Sequence, residues 1–499
     1  MTFRCKNFLC VVTTIALTAA LLRPSTNAFA QEAAATPLSK VERKNKAPVA
    51  KTQLQVTIPK PFETKLKNGL TVMILEDHRF PAVSAELRLR GAGALFEPPD
   101  APGLAGITAE MLREGTKTRT SEQIAEELDR LGAGLSASSS FGSPDVVLGA
   151  SGLSVNFDAW FALLHDVLLH PTFPAHELAR KKQRIKVQLR QQRSSPGFLA
   201  EERFSRAVFG SHPAAIVAPT IEAVEALTSE ALAAWHRERY SPRNSILAIA
   251  GDVRPAELVP KLERWLADWQ SAEVKEARPP NPAPASARKI YLVDRPDSVQ
   301  TTVILGNIAI DRRSEDYIPM VVLNHVLGGG PAARLFLNLR EEKGYTYGVY
   351  SSFSAVEYPG PWRAGGNMRT EVTEGALKEF FSEIRRMREE KVADGSLEEA
   401  KRSVVASFAL SLERPARVLS FALTRKIYNL PDDYWDTYPA KIMAVSADEV
   451  QRVARKYYNL ENLQLVAVGD SRKIKPALEK YGAVEVYDGA GAPVAVPPP

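Results

Sequence analysis

Apolar residues along the chain follow two kinds of spacing, one typical of strands and one typical of helices. Short apolar runs predict strands at Leu70–Leu75, Val83–Leu89, Val146–Leu153 and Thr301–Gly306. Longer runs with helical spacing predict helices at Ser121–Leu131, Val155–Leu169, His176–Gln192 and Leu377–Lys391. Strands mixed with helices in this way predict an α+β fold.

Two segments, one near the middle of the chain and one near its end, match each other without a gap. Residues 228–252 and 446–470 each predict an N-capped helix, a turn at asparagine and a short apolar strand that ends in Gly-Asp. The matching positions are Thr228 and Ser446, Arg237 and Arg455, Tyr240 and Tyr458, Asn244 and Asn462, and Gly251-Asp252 and Gly469-Asp470. The match predicts two homologous α/β domains related by an internal repeat.

Changes in composition set the expected domain boundaries. Residues 273–288 are rich in proline, which continues neither a helix nor a central strand, so we interpret them as a linker. The linker separates an N-terminal domain at 56–272 from a C-terminal domain at 289–487. Residues 31–55 are expected to form a further linker, and the proline-rich residues 488–499 a disordered tail.

The first 30 residues have the pattern of a secretory signal peptide. Basic Arg4 and Lys6 precede an uncharged apolar run at 10–22, and Ala28-Phe29-Ala30 offers a small-x-small cleavage site. The apolar run is short for a membrane span, although an uncleaved anchor remains the alternative. We therefore expect a signal peptide at 1–30, export across the inner membrane and a periplasmic location.

Composition excludes several kinds of chemistry. The formal net charge of the 499 residues is +6, a weak excess that does not predict nucleic-acid binding. The two cysteines, Cys5 and Cys10, both lie in the expected signal peptide. The mature chain is therefore expected to have no disulfide, no thiolate metal site and no cysteine nucleophile.

The segment from Gly103 to Thr116 reads Gly-Leu-Ala-Gly-Ile-Thr-Ala-Glu-Met-Leu-Arg-Glu-Gly-Thr. It resembles the metal-binding helix of the insulinase/pitrilysin-type (inverzincin) metallopeptidases, in which Gly-Leu-Ala leads into His-x-x-Glu-His, Met-Leu and Gly-Thr. Here the flanking residues are kept, but the three chemical positions are Gly106, Ala109 and Glu110. Because a zinc site needs about three protein ligands, this motif is degenerate and binds no metal. The alternative, purely structural interpretation of this segment is an amphipathic helix that packs its apolar side chains into a core.

The resemblance also implies a carboxylate ligand on a later helix, at a spacing that leads to the region of Lys186. No Asp or Glu occurs between Glu177 and Glu201. The predicted helix instead carries the cations Arg180, Lys181, Lys182, Arg184 and Lys186. Nor do the seven histidines form an i,i+3 or i,i+4 pair, and we expect His165 and His170, five residues apart, to point to opposite sides of a helix.

The second half keeps a different set of family residues. Residues 327–352 contain Gly328-Gly329-Gly330, then Arg-Leu-Phe and Leu-Arg-Glu, then Lys-Gly-x-x-Tyr. In catalytic members, the corresponding arginine and tyrosine reach towards the metal, and here they are Arg340 and Tyr347. The resemblance implies that they stabilise an oxyanion. Alternatively, Arg340 pairs with a neighbouring glutamate and Tyr347 packs on the sheet.

The glycine run also has two interpretations. It ends the preceding helix with a turn of positive φ, or it presents backbone N–H groups to a peptide substrate.

The resemblance covers about residues 60–485. It implies two domains, each a mostly antiparallel sheet with helices on one face, which together form half of a clam-like chamber. We expect a non-catalytic subunit of a heterodimeric zinc metalloendopeptidase, similar to the Arg/Tyr-bearing chain of bacterial two-chain members and of mitochondrial processing peptidase. A homologous partner with His-x-x-Glu-His would supply the zinc, this chain would bind no cofactor, and unfolded peptides would be the substrates.

Two other functions stay open. The first is a catalytically dead peptide-binding or scaffold protein of the same fold. The second is a peptidase acting alone by another mechanism, which the lack of a mature cysteine and of Gly-x-Ser-x-Gly disfavours.

Overall fold

A computed structural model describes residues 55–270 and 280–494. The strands of the first half are β1 (Phe62–Lys65), β2 (Thr71–Glu76), β3 (Ala82–Arg90), β4 (Gly134–Ser138), β5 (Asp145–Leu153) and β6 (Ser245–Gly251). Its helices are α1 (Leu104–Met111), α2 (Ser121–Leu131), α3 (Phe157–Leu169), α4 (Ala175–Gln192), α5 (Pro196–Phe209), α6 (Ile221–Ala226), α7 (Ser229–Arg239) and α8 (Pro255–Trp265).

The second half repeats this alternation of strands and helices. Its strands are β7 (Lys289–Asp294), β8 (Gln300–Ile310), β9 (Thr346–Ala355), β10 (Pro359–Arg369), β11 (Gln464–Gly469) and β12 (Val484–Tyr487). Its helices are α9 (Tyr317–Gly328), α10 (Arg334–Phe336), α11 (Thr373–Glu389), α12 (Asp394–Ser411), α13 (Pro415–Tyr428), α14 (Tyr438–Ala444), α15 (Ala447–Tyr457) and α16 (Ser471–Glu479). A π-helical turn, Leu337–Glu342, follows α10 directly.

Each half builds one six-stranded sheet, and the two sheets share a topology. The strand orders are β1-β2-β6-β3-β5-β4 and β12-β7-β11-β8-β10-β9, so five strands of each sheet follow the same order. Most neighbours are antiparallel, whereas β2 with β6, β7 with β11 and β7 with β12 run parallel. The hydroxyls of Thr228 and Ser446 cap α7 and α15 as expected. The predicted α+β fold with an internal repeat is confirmed.

The central strands β6 and β11 are buried on both faces because each half covers the other. Leu247 and Ile249 of β6 lie in the core of the first half, whereas the alternate residues Ala248 and Ala250 join a cluster with Leu419 of α13. In the same way, Val466 and Val468 of β11 pack with Phe204 of α5, from the first half. The described part of the chain is therefore one compact unit in which α5 and α13 are exchanged between the halves.

One local expectation is corrected at the start of a helix. Helix α3 begins at Phe157 because residues 154–156 form a separate 3₁₀ turn. Within the expected tail, Asp488 N–H donates to Ala492 and Val494 N–H donates to Val486. The expected signal peptide, almost all of the 31–55 linker, residues 271–279 and residues 495–499 lie outside the described residues. In the described part, no helix is long and apolar enough to cross a membrane.

Candidate functional site

The degenerate motif lies on α1, where its side chains pack rather than bind. Leu104, Ile107 and Met111 are buried, in keeping with a core-facing helix. Ala109 is fully buried and carries only a methyl group. At Gly106, a Cβ atom would lie 3.1 Å from the backbone oxygen of Ser139, a tight contact that a side chain could enter only if this backbone shifted by a few tenths of an ångström. Neither position offers a ligand atom.

The helix that would supply the third ligand does lie beside α1, but it brings cations. Lys181 of α4 forms an ion pair with Glu110, and Arg184 lies 3.8 Å from Glu114. Lys186 pairs with Glu225. Within residues 55–270 and 280–494, no group of three or more His, Cys, Asp or Glu side chains is arranged to hold a metal ion. The ammonium of Lys181 thus occupies the neighbourhood where a dication would need negative charge.

Restoring the motif alone is therefore expected to be insufficient. A Gly106→His, Ala109→Glu and Glu110→His variant should bind zinc substoichiometrically, because two histidines lack a third ligand and face Lys181. Metal analysis after dialysis against zinc measures this. A matched variant that also carries Lys181→Glu should hold more zinc. One tightly bound zinc per chain in the triple variant would contradict the assignment.

Two histidines that we expected to point apart are in contact. The rings of His165 and His170 lie 5.6 Å apart, and their Nε2 atoms lie 3.3 Å and 3.8 Å from the carboxylate of Asp268. The prediction assumed a continuous helix, but α3 ends at Leu169 and His170 leaves helical geometry with φ −124°.

The structure places Arg340 and Tyr347, the second set of predicted site residues, next to each other. Arg340 lies on the π-helical turn, and its guanidinium carbon is 5.2 Å from the ring centre of Tyr347 and 5.0 Å from that of Phe336. Its Nη1 donates to Glu341 at 2.8 Å, as one alternative expected. Tyr347 is 89% exposed and does not pack on the sheet, so the other half of that alternative is wrong.

The exposure of Tyr347 follows from its place in β9. Thr346 pairs with Met368 and Gly348 pairs with Asn367, which leaves Tyr347 as the extra residue of a β-bulge. A bulge turns a side chain away from the regular pleat. Because β9 is the edge strand of its sheet, the phenol lies open to any second molecule.

The glycine run has a different role at each position. None of the three glycines has positive φ, so the expected turn of that kind is wrong. Gly328 is buried against β9, where a Cβ atom would lie 2.4 Å from the backbone nitrogen of Ser351. Gly329 is exposed, and nothing approaches a Cβ at Gly330. Only Gly329 and Gly330 are thus placed to meet a ligand.

A large cavity lies between the two halves, and its lining residues were not predicted from the sequence. Its volume is about 940 Å³, and it is lined by both halves, including Arg88, Asp145, Ser352, Ser354 and Glu357. The ion pair between Arg90 and Glu357 joins the halves beside it, as does that between Arg363 and Glu201. Burial raises the pKa of the Asp145 carboxyl to about 6. Ser352 and Ser354 continue the exposed side of β9 into this cavity.

A second feature that was not predicted from the sequence is the carboxylate of Glu97, which lies at the start of the motif helix α1. Glu97 accepts hydrogen bonds from the backbone N–H groups of Gly103 and Ala105, at 2.9 and 2.6 Å, and so caps α1. Burial raises the pKa of its carboxyl to about 7. The only sequence signal was an acid shortly before a Gly-Leu-Ala helix start.

The pKa of Glu97 predicts a pH-dependent stability. Its folded value lies above the unfolded value of about 4.3, so the folded chain binds the proton more tightly and gains stability as the pH falls. Between pH 8 and pH 5 the gain should be about 1–3 kcal/mol. A Glu97→Gln variant should lack this contribution. Urea unfolding of both chains at several pH values tests this, and identical pH profiles would contradict it.

Comparisons with known proteins give one consistent result. The family described as Insulinase (Peptidase family M16) matches residues 72–218, and the family described as Peptidase M16 inactive domain matches residues 226–404. A Bacillus subtilis protein named an uncharacterized zinc protease is 23% identical, over 81% of this chain and 97% of its own length. One from Rickettsia bellii is 28% identical, over 71% of this chain and 84% of its own length.

Solved structures agree. The peptidase M16 inactive domain of Pseudomonas fluorescens is 27% identical with a TM-score of 0.76, covering 82% of this chain and 98% of that one. A Helicobacter pylori protease is 18% identical with a TM-score of 0.75, covering 82% and 100%, and supports the fold alone. Together with the motif remnant on α1 and the repeated sheets, these matches show that the chain belongs to the insulinase family of metallopeptidase-like proteins, peptidase family M16.

Proposed function

We propose that this protein is a non-catalytic, peptide-binding subunit of a heterodimeric zinc peptidase, and that it supplies Arg340 and Tyr347 to the zinc site of its partner. One observation carries the proposal. The chain presents the half-buried Arg340 beside the exposed Tyr347, while its own motif positions, Gly106 and Ala109, hold no ligand atom. The partner is a homologous chain that bears His-x-x-Glu-His.

The chemistry of the two side chains suits this role. Zinc in the partner would polarise the scissile carbonyl and activate a water molecule. The Tyr347 hydroxyl would donate a hydrogen bond to the oxyanion, and the Arg340 guanidinium would bind the developing charge or a neighbouring carbonyl. Arg340 must first leave Glu341. Because an exposed ion pair is worth about 0–1 kcal/mol, a substrate can displace it.

The peptide has a path along β9. Among the described residues, β10 is the one strand that pairs with β9, so the other edge of β9 can accept an extended peptide as a further strand, except at Ser351, whose carbonyl already accepts from Asn324 Nδ2 at 3.2 Å. From Tyr347 to Ser354 the strand spans about 23 Å, at about 3.3 Å per residue. The exposed side of β9 ends at the cavity between the halves, which offers room for the peptide residues beyond the scissile bond.

The location is part of the proposal. The basic, apolar and small-x-small pattern of residues 1–30 supports export to the periplasm. A catalytically inert peptide-binding or scaffold protein remains the competing function, since an open β9 edge and a cavity would serve it equally well.

Mixing the chains distinguishes these functions. This chain, the His-x-x-Glu-His chain and their equimolar mixture are purified, and zinc content and cleavage of an unstructured fluorogenic peptide are measured. We expect zinc only in the partner and cleavage only in the mixture. Peptide binding by the isolated chain without any gain of cleavage on mixing would favour the inert binder. Cleavage by this chain alone would contradict both.

A further inference from the structure

Arg340 lies on an uncommon piece of backbone. Residues 337–342 form a π-helical turn, closed by Lys343 N–H donating to Asn338 and Gly344 N–H donating to Arg340. The π-helix is rare, appears mostly as single turns and is frequent at functional sites. Such a turn needs outside contacts to be kept in place of the more stable α-helix.

Helix α11 provides those contacts on both sides of Arg340. The Asn338 Nδ2 atom donates one hydrogen to Glu379 and the other to Glu383, both at 3.0 Å. Glu383 is 3% exposed and also accepts from Arg386 at 3.0 Å, so it is itself held in place. The donors of the Asn338 amide are thus fully used.

The second contact lies beyond the turn. The phenol of Tyr345 lies over Gly375 of α11, where a Cβ atom would be 3.0 Å from the tyrosine oxygen. The Tyr345 N–H also donates to Leu339, a fully buried residue of the turn, at 2.8 Å. Residues on each side of Arg340 are therefore attached to the same helix.

From this geometry we infer that Asn338 is a positioning residue for Arg340, which it holds against Tyr347 by fixing the π-helical turn on α11. The inference rests on the proposed function of Arg340 and Tyr347. Asn338 touches neither substrate nor metal in this account. By fixing the turn, Asn338 keeps the Arg340 guanidinium beside the rings of Phe336 and Tyr347. In a regular α-helix, the Arg340 side chain would be carried away from these rings.

The residue type matters because both partners are carboxylates. Asparagine donates to Glu379 and Glu383 with no charge of its own. Aspartate has the same shape but no donor, and it would add a third negative charge. Alanine would remove one hydrogen-bond donor from Glu379 and one from the buried carboxylate of Glu383. A buried carboxylate that loses a donor lowers the stability of the folded chain.

The test measures kcat and KM of the assembled two-chain enzyme with Asn338→Ala and Asn338→Asp. A misplacement of about 1 Å can cost about 10²-fold in rate, so we expect kcat to fall by about that factor, with KM changed much less. The matched control is Asn156→Ala in the first half. It loses one amide hydrogen bond, to the Leu131 carbonyl at 3.0 Å, where Asn338→Ala loses two, and it should keep full kcat.

A double-mutant cycle separates positioning from a general loss of structure. In an Arg340→Ala background, Asn338→Ala should cause no further loss of kcat, because there is no guanidinium left to position. Full additivity would overturn the inference, as would wild-type kcat in a folded Asn338→Ala enzyme. If that variant does not fold, Glu379→Ala, which removes one acceptor, should give an intermediate loss with the same non-additivity. Failure of the proposed function is distinct, since Arg340→Ala would then itself have no effect.

Discussion

Replacing Tyr347 with phenylalanine is expected to lower kcat of the two-chain enzyme by about 10²–10³-fold, the usual effect of removing one oxyanion donor. The variant deletes only a hydroxyl. Tyr347 is 89% exposed, so the folded chain should lose almost no stability. Because the hydroxyl acts on the developing charge, KM should change little, which steady-state kinetics on a peptide substrate will measure.

The control for this experiment is another tyrosine hydroxyl on the surface. Tyr487 donates to Glu485 at 2.8 Å, at the far edge strand of the same sheet. Tyr487→Phe should leave kcat unchanged. An equal loss in both variants would assign the effect to the preparation, and an unchanged kcat in Tyr347→Phe would contradict the oxyanion role.

Replacing Phe204 with alanine is expected to lower the free energy of unfolding by about 3–5 kcal/mol. Phe204 is 1% exposed and belongs to α5, but it packs on Val466 and Val468 of the other half. The loss should therefore affect the whole described unit and not the first half alone. Both sheets should unfold in one transition, at a lower urea midpoint.

Urea unfolding followed by tryptophan fluorescence and by circular dichroism measures this. Phe80→Ala is the matched control, since that ring is 67% exposed and its removal should change stability by about 0.5 kcal/mol or less. Two separate transitions, of which only one shifts in Phe204→Ala, would contradict the exchange of helices between the halves.

The features that could be predicted from the sequence are those that depend on residues close together along the chain. The repeat of residues 228–252 and 446–470 led to two related sheets because caps, turns and buried strands recur at short spacing. The spacing of Arg340 and Tyr347 survives as a contact because one turn and one loop join them. The Glu110–Lys181 ion pair was predicted in part, because the sequence places cations on the helix that carries the carboxylate ligand in catalytic members.

Contacts between distant segments could not be predicted in the same way. Helices α5 and α13 were not among the helices predicted from the spacing of apolar residues, and nothing in their composition reveals that each covers the sheet of the other half. The cavity and its ion pairs, such as Arg363 with Glu201, join residues more than 150 positions apart. The bulge at Tyr347 and the π-turn at Arg340 depend on pairing with β10 and α11 respectively.

The most direct test of the divided active site is single-turnover peptide cleavage by the His-x-x-Glu-His chain mixed with this chain carrying both Arg340→Ala and Tyr347→Phe. Complex formation and zinc content are checked in the same samples. The account predicts that the complex assembles with its zinc intact and that its cleavage rate falls by at least the ~10²–10³-fold expected for one lost donor. An assembled complex that cleaves at the wild-type rate would contradict it.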